Sequence, residues 1–403
     1  MGCRSIFSLA LLLCAEAVFA QVATTSTTST TTIDTSRPVA WLYVPSKHYI
    51  HAYKVWANGS LTSITGSPFP FVGIGSTSVT KQFLFGDNGQ NVDSFAIASN
   101  GSLSKISSIN AVSYESDGCL QGAGGNLVDF SQITLYRRVC SYGYNTNQYL
   151  SFHIQPSGSL QFLGGSGGAI GAATQGGTSL TKMGGNPFAF DSYCAEDEYN
   201  RPVIQIFKRQ SNGNLIFERE ENHMPEPAPG TSYCAGLLVA ADTSNHLAVP
   251  VQRIDAQPHD AGHIDGPYFL ASYTADSSGN LTTTSNYTNM PRLAVAENLD
   301  VNDISISPDN KYVAVAADGF QVLHFNGSNP PTNFSGAFLT GQSVYSFGWD
   351  RAHHLYLIAL KYSNGTYTSF LHVYNVTSAG VKEVSGSPHY LANLTGLSVL
   401  SLQ

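Results

Sequence analysis

The chain has 403 residues, of which 42% are hydrophobic and only 11% are charged, and its formal net charge is -8 at pH 7. The charged share is under half of the roughly 25% usual in soluble proteins. A negative chain without basic clusters is unsuited to nucleic acid, because binding to phosphates needs basic patches. The 38 Gly, 21 Tyr and 21 Phe residues favour turn-rich β structure with a sizeable core.

The first 37 residues have the composition of an export signal and a polar tail. Residues 1–20 carry Arg4, an apolar stretch from Ile6 to Cys14 and a small-residue end, Val18-Phe19-Ala20, which predicts a secretory signal peptide. Residues 21–37 form a Ser/Thr-rich segment that we expect to be disordered. The sequence therefore predicts export to the periplasm or the outside of the cell. No other stretch has the ~18 apolar residues that a membrane span needs.

A turn signal recurs seven times in residues 38–403. Each instance is an alternating strand, a turn containing glycine and a second strand, and the average spacing is about 53 residues. Glycine at this point supplies the positive φ of a tight hairpin. The seven glycines are Gly59, Gly101, Gly158, Gly213, Gly279, Gly327 and Gly380.

More apolar runs precede the alternating strands, as in Trp41 to Val44 and Tyr312 to Val315, and they are typical of strands inside packed sheets. Four short antiparallel strands per repeat predict a single all-β domain, a seven-bladed β-propeller. A β-sandwich would not repeat one hairpin signal seven times, and a β-helix rung would be about half as long. Residues 397–402 resemble a first strand with nothing after it, so we expect this strand to pair into the N-terminal blade and close the ring.

The segment from Ile306 to Val315 has the sequence ISPDNKYVAV. It resembles the repeat of the YVTN and lactonase-like (6-phosphogluconolactonase-type) propellers. Trp41 to Val44 followed by Gly59-Ser60-Leu61, and the Gly-Ser-Pro phrase at Gly66 and Gly386, are similar to exported bacterial members of that group. The resemblance covers about residues 38–403. It implies a propeller fold and, in some members, lactone hydrolysis.

The catalytic segments of lactonases are only partly matched. The loop Gln257-Pro258-His259-Asp260-Ala261-Gly262-His263 stands where a His-Pro-His segment would be, and Met290-Pro291-Arg292-Leu293 has Leu293 where a histidine would be. His259, His263 and Arg292 are the candidate catalytic residues, with imidazoles as acid and base. Arg138 and Asp260 are candidate binding residues. We identify no metal ligands and no cofactor motif.

Four cysteines remain beyond the signal peptide, Cys119, Cys140, Cys194 and Cys234. In an exported chain they predict disulfides, and four cysteines allow three pairings. We favour Cys119–Cys140 and Cys194–Cys234, which would each join neighbouring segments, with free buried thiols as the alternative.

The sequence favours an exported binding or surface-interaction module without catalysis. Its expected partner is a small molecule, a carbohydrate or a protein, and we expect a monomer. A lactone hydrolase acting at one end of the central channel and a structural cell-surface protein are the alternatives.

Overall fold

The computed structural model describes residues 36–73, 77–114, 126–129, 131–138, 149–167, 186–195, 201–236, 238–255, 266–296, 301–363 and 365–402. These residues are mostly β-strands, and the strands pair antiparallel in hairpin order. Alternation accounts for the outer strands, as in Tyr49–Val55, where Ile50, Ala52 and Val55 are buried between more exposed neighbours. Ala40–Pro45 is buried at all six positions because its two faces pack against different neighbouring sheets, Leu42 and Val44 on one side and Trp41 and Tyr43 on the other.

The first three sheets each contain four or more strands. The first is formed by β1 (Ala40–Pro45), β2 (Tyr49–Val55), β3 (Leu61–Ser63), β4 (Phe69–Pro70) and the last strand of the chain, β29 (Ser398–Ser401). The second is formed by β5 (Thr77–Val79), β6 (Phe83–Asp87), β7 (Asn91–Ile97) and β8 (Leu103–Asn110). A 3-10 turn (Val112–Tyr114) follows, and the third sheet is formed by β9 (Asn126–Val128), β10 (Thr134–Arg138), β11 (Tyr149–Ile154) and β12 (Leu160–Gly165).

The other three sheets are less uniform. The fourth has three described strands, β13 (Phe188–Ala195), β14 (Arg201–Arg209) and β15 (Leu215–Glu221). The fifth is formed by β16 (Thr231–Ala235), β17 (Ala240–Ala241), β18 (His246–Asp255), β19 (Tyr268–Ala275) and β20 (Leu281–Thr282). The sixth has eight strands, β21 (Asp303–Ile306), β22 (Tyr312–Asn326), β23 (Asn329–Asn333), β24 (Phe338–Trp349), β25 (His354–Ser363), β26 (Thr366–Thr377), β27 (Gly380–Glu383) and β28 (His389–Tyr390).

The first and last strands meet in one sheet. β29 pairs antiparallel with β1, from Tyr43 opposite Ser398 to Ala40 opposite Ser401. The predicted closure of the ring by the C-terminal strand is thus confirmed, and the fold is a β-propeller, as the repeat predicted. The apolar core lies between neighbouring sheets, as where Leu42 and Val44 pack with Ile358 and Leu371.

The eight-stranded sheet divides into a unit of three strands, β21 to β23, and a unit of five, β24 to β28, which are joined by pairing between β22 and β24. β22 and β24 pair at Asp318 opposite Ser343 and at Phe320 opposite Phe338. If β21 to β23 and β24 to β28 are counted as separate blades, these two and the other five sheets make seven blades. The described strands nevertheless form six hydrogen-bonded sheets, so the number of seven blades stays a prediction.

Candidate functional site

The two ends of the sheets differ in character. At one end, which we call the loop face, the innermost strand of each sheet begins and the strand paired with it ends, as β5 begins and β6 ends in the second sheet. The connection from each sheet to the next passes over this end. At the other end, the turn face, lie the hairpins that contain the repeated glycines. Propeller ligands bind where long connections gather on one end, since loops on a rigid scaffold are where sites are built.

Acid–histidine pairs on the turn face are structural. Asp350 Oδ1 accepts hydrogen bonds from the N–H groups of Ala352 and His354, and its Oδ2 lies 2.7 Å from His354 Nδ1 and accepts the Tyr356 hydroxyl at 2.7 Å. All three side chains are buried, and burial, with the Asp350 carboxylate beside it, raises the pKa of Tyr356 well above its usual value. The pair fixes the turn before β25. The segment from Asp350 to His354 is therefore a turn between two paired strands, β24 and β25.

Asp242 and His246 repeat this arrangement before β18. Asp242 Oδ1 accepts from the N–H groups of Ser244 and His246, and Oδ2 lies 2.7 Å from His246 Nδ1. The recurrence of one turn in two sheets indicates a scaffold feature rather than a reaction centre.

Arg137, at the loop-face end of β10, is the largest fully buried side chain among the described residues. Its Nε donates to Asp87 Oδ2 at 2.7 Å, and its Nη2 donates to the Gly89 carbonyl oxygen at 2.9 Å. Both charged groups are out of solvent, so removing either partner would leave an uncompensated charge, at a cost of about 3–5 kcal/mol. The charge of Arg137 is thus neutralised within the fold, and the contact with Asp87 joins the second sheet to the third.

A second buried contact joins the third and fourth sheets. The Tyr149 hydroxyl donates to Asp191 Oδ2 at 2.5 Å, and Asp191 Oδ1 accepts the Ser192 N–H at 2.9 Å. With Arg137, these polar groups connect three consecutive sheets near the loop face. Each is at least partly satisfied inside the protein, which suits a rigid platform under the loops.

The candidate site residues fall in different places. Arg138 is half-buried at the end of β10. Arg292 is exposed, and its backbone bridges to Phe269 of β19 on the side away from β18. It therefore stands three strand positions from the innermost strand, β16, or about 14 Å at the usual strand spacing. His259, Asp260 and His263 lie outside the described residues. The proposed roles of all five stay predictions.

Sequence analysis did not identify Asp303, the first residue of β21, which lies at the loop-face end of the innermost strand of its sheet. Its Oδ2 accepts the Phe347 N–H at 3.1 Å, across the gap between β21 and β24. Burial among the inner strands raises the pKa of the Asp303 carboxyl group from 3.8 to about 7, although N–H groups of Phe347 and Ile304 oppose the rise. The residue as a whole is half-buried. The only signal in the sequence was an acid directly before the alternating strand Ile304 to Ser307.

Of the four cysteines, only Cys234 has a described side chain. It is fully buried in β16 and is disulfide-bonded. Cys194 lies in β13, and Cys119 and Cys140 lie outside the described residues. Both preferred pairings stay predictions.

Among the residues the structure describes, no three acidic, histidine or cysteine side chains gather as metal ligands. Within the same part of the chain, no helix has the length and apolarity needed to cross a membrane.

Comparison with known proteins shows a shared fold only. No known protein family and no curated protein matches this sequence. Among solved structures, a hypothetical selenium-binding protein from Sulfolobus tokodaii is 9% identical and has a TM-score of 0.55, with 91% of this chain and 93% of that chain covered. A protein from Lactobacillus plantarum is 13% identical, with a TM-score of 0.40 and coverage of 81% and 98%. Apo AztD from Citrobacter koseri is 10% identical, with a TM-score of 0.44 and coverage of 90% and 98%. At such identities, the likeness extends to the fold and says nothing of activity.

Proposed function

We propose that this chain is an exported β-propeller module that binds a ligand on its loop face and does not turn it over. The observation that supports this proposal most strongly is the separation of Arg292 from the inner strands by two intervening strands, β18 and β19. Hydrolysis of a lactone needs an acid or base and a cation directed at one carbonyl group. Arg137, at the loop-face end of β10, is not available as this cation because it is buried against Asp87.

Lactone hydrolysis is the second candidate because of Asp303. A carboxyl group with a pKa near 7 at the loop-face end of an innermost strand has the properties of a general acid or base. In this alternative His259, His263 and Arg292 would complete the site, as the partial resemblance to lactonases implies.

An alkali-release assay with purified mature protein and several sugar lactones separates the two candidates. We expect no turnover above background for the unmodified chain. His259→Ala, Arg292→Ala and Asp303→Asn serve as matched variants, because a positioned acid or base contributes about 10²–10⁴-fold in rate. Hydrolysis by the unmodified chain that any of these substitutions abolishes would replace the binding module with an enzyme.

Export belongs to the same proposal. Residues 1–20 would direct the chain across a membrane and residues 21–37 would tether or space the domain, which places it in the periplasm or outside the cell. In that oxidising setting we propose disulfides between Cys119 and Cys140 and between Cys194 and Cys234.

A further inference from the structure

One hairpin is longer than the corresponding described hairpins that reach the loop face. β25 and β26 pair over ten positions, from His354 opposite Asn375 to Ser363 opposite Thr366. The corresponding strands pair over six positions in the first sheet, five in the second and third, eight in the fourth and seven in the fifth. The excess of two to five pairs, at about 3.3 Å per residue, amounts to about 7–16 Å. The end of this hairpin therefore forms a wall at the edge of the loop face.

Two tyrosines face the solvent near the end of this wall. Tyr362 and Tyr367 are directly opposite each other in the register of β25 and β26. Their ring centroids lie 4.8 Å apart with planes inclined by 47°, and 62% and 67% of their surfaces are exposed. The rings hold each other in place, so a ligand would meet a surface that is already ordered.

The register shows which side of the wall carries the rings. Side chains two residues apart on a strand share a face, so Tyr362 and Tyr367 lie on the same side as Ser369 and Leu371. Leu371 packs with Leu42 and Val44 of the first sheet. The Ser369 hydroxyl donates to the carbonyl oxygen of Leu391 at 2.5 Å. The tyrosines therefore face the first sheet, above the connection that runs from β28 to β29.

That connection and the loop after β1 are hydrogen-bonded to each other, and together they form the surface beside the wall, which we call the floor. The Lys47 N–H donates to the Asn393 carbonyl oxygen at 3.2 Å, and the Thr395 N–H donates to the Pro45 carbonyl oxygen at 3.0 Å. Lys47, His48 and Asn393 are exposed on this floor. We call the wall and floor together the tyrosine step, defined by Tyr362, Tyr367, Lys47, His48 and Asn393.

We propose that the tyrosine step binds a carbohydrate chain. This inference rests on the proposed function, since it names the ligand class of that binding module. The flat rings of Tyr362 and Tyr367 match the C–H face of a sugar ring, and the amide of Asn393, the imidazole of His48 and the ammonium group of Lys47 suit sugar hydroxyl groups.

The surroundings of the rings favour a carbohydrate over an apolar partner. Lys47, His48 and Asn393 are exposed on the side that the tyrosines face. An apolar protein surface laid on this side would bury their polar groups unpaired, at a cost of about 1–3 kcal/mol or more each. A nucleic acid could also stack on tyrosine, but the net charge of -8 opposes a polyphosphate. A sugar chain satisfies both the rings and the polar groups of the floor.

A purely structural pair would stabilise the hairpin instead. Aromatic pairs across neighbouring strands contribute about 0.2–1 kcal/mol to a sheet. Tyr390 provides a matched control, because it is 66% exposed and packs by edge against Phe370, which alternates to the opposite side of β26. A test must therefore measure binding and stability in the same variants.

The experiment is affinity electrophoresis in native gels containing hydroxyethylcellulose, xylan or laminarin. We expect at least one polysaccharide to retard the unmodified protein and Tyr390→Ala, and we expect Tyr362→Ala and Tyr367→Ala to lose at least tenfold in affinity. Tyr362→Phe keeps the ring and should retain binding. Melting temperatures of the same proteins identify any variant that fails to fold.

Equal retardation of Tyr362→Ala, Tyr367→Ala and the unmodified protein would overturn the proposal, as would the absence of retardation by all three polysaccharides. Neither result bears on the lactone assay, and hydrolysis in that assay would overturn the binding module whatever the gels show. The failures of the two proposals are therefore distinguishable.

Discussion

At the scale of single residues, the half-buried carboxyl group of Asp303 makes folding depend on pH. Its pKa is about 7 in the folded protein against about 3.9 in an unfolded chain, so the folded state holds a proton that the unfolded state has lost between these values. The stability contributed by the protonated form is complete below about pH 4 and disappears as the pH rises through 7. The change would reach ~4 kcal/mol for a group removed from water, and solvent access reduces it.

The variant Asp303→Asn tests this dependence. An amide oxygen can still accept the Phe347 N–H but cannot ionise. We expect the melting temperature of the unmodified protein to fall, relative to the variant, as the pH rises from 4 to 8, and then to stay level. Thermal unfolding followed by circular dichroism over this range measures it. A constant difference between the two proteins would show that Asp303 keeps its ordinary pKa.

The interactions of such residues could not be predicted from sequence. Asp87 and Arg137 are 50 residues apart, and Asp303 and Phe347 are 44 apart. Nothing local distinguishes a buried arginine at the end of a strand from a solvated one, because the difference depends on which sheet packs beside it. The position of Arg137 is explained by its contact with Asp87 in the neighbouring sheet, which the sequence does not reveal.

At the scale of elements, the repeated glycine serves packing between sheets as well as the hairpin turn. A Cβ atom on Gly101, where φ is +85°, would lie 2.6 Å from Ile64 Cδ1 and 3.0 Å from Trp41 Cδ2, both in the preceding sheet. The Tyr43 hydroxyl also donates to the Gly101 carbonyl oxygen at 3.0 Å. Similar contacts with a neighbouring sheet occur at Gly59, Gly158, Gly213, Gly279 and Gly327. Sequence analysis predicted the turns from the positive φ alone, and the packing role needs the positions of neighbouring sheets.

The substitution Gly101→Ala should cost more than the positive φ alone. The left-handed backbone costs an alanine about 1–2 kcal/mol, and overpacking adds about 1–3 kcal/mol. Gly386→Ala is the matched control, because φ there is +89° and no atom lies within 4 Å of the added Cβ. Urea unfolding of both variants measures the free energies. Equal losses in the two variants would remove the packing role.

The Gly-Ser-Pro phrase that supported the family resemblance also has a physical basis. Ser67 Oγ accepts the Ala52 N–H at 2.9 Å, and Ser387 Oγ accepts the Val373 N–H at 3.0 Å. In each sheet the serine hydroxyl accepts this hydrogen bond from β2 or β26, beyond the point where the next strand, β3 or β27, stops pairing with it. Serines without a following proline make the same bond, at Ser166, Ser285 and Ser335. The sequence revealed two of these positions because the flanking proline made them recognisable.

At the scale of the whole molecule, the repeat predicted the architecture because every unit carries the same turn and strand pattern. Individual connections were less predictable. β22 is one continuous strand of 15 residues, where other sheets have two strands joined by a loop. It also pairs with β24, and this pairing merges two units into one sheet. Ring closure was predictable for a simple reason, since residues 397–402 form an apolar strand with no following partner and β1 has an unpaired edge without it.

Deletion of residues 397–403 tests how far stability depends on closure. The truncated chain loses β29, exposes the edge of β1, whose six residues are all buried, and loses the contact between Thr77 Oγ1 and Ser398 Oγ at 2.8 Å. We expect a loss of several kcal/mol, a clearly lower melting temperature and concentration-dependent association, because an apolar strand edge pairs with other chains. Deletion of residues 402 and 403 alone keeps β29 and removes the hydrogen bond from the Leu402 N–H to the Val39 carbonyl oxygen at 2.8 Å, so we expect a smaller loss, about 0.5–1.5 kcal/mol. If the longer truncation melted and sedimented like the intact protein, the pairing of β29 with β1 would not be what holds the ring closed.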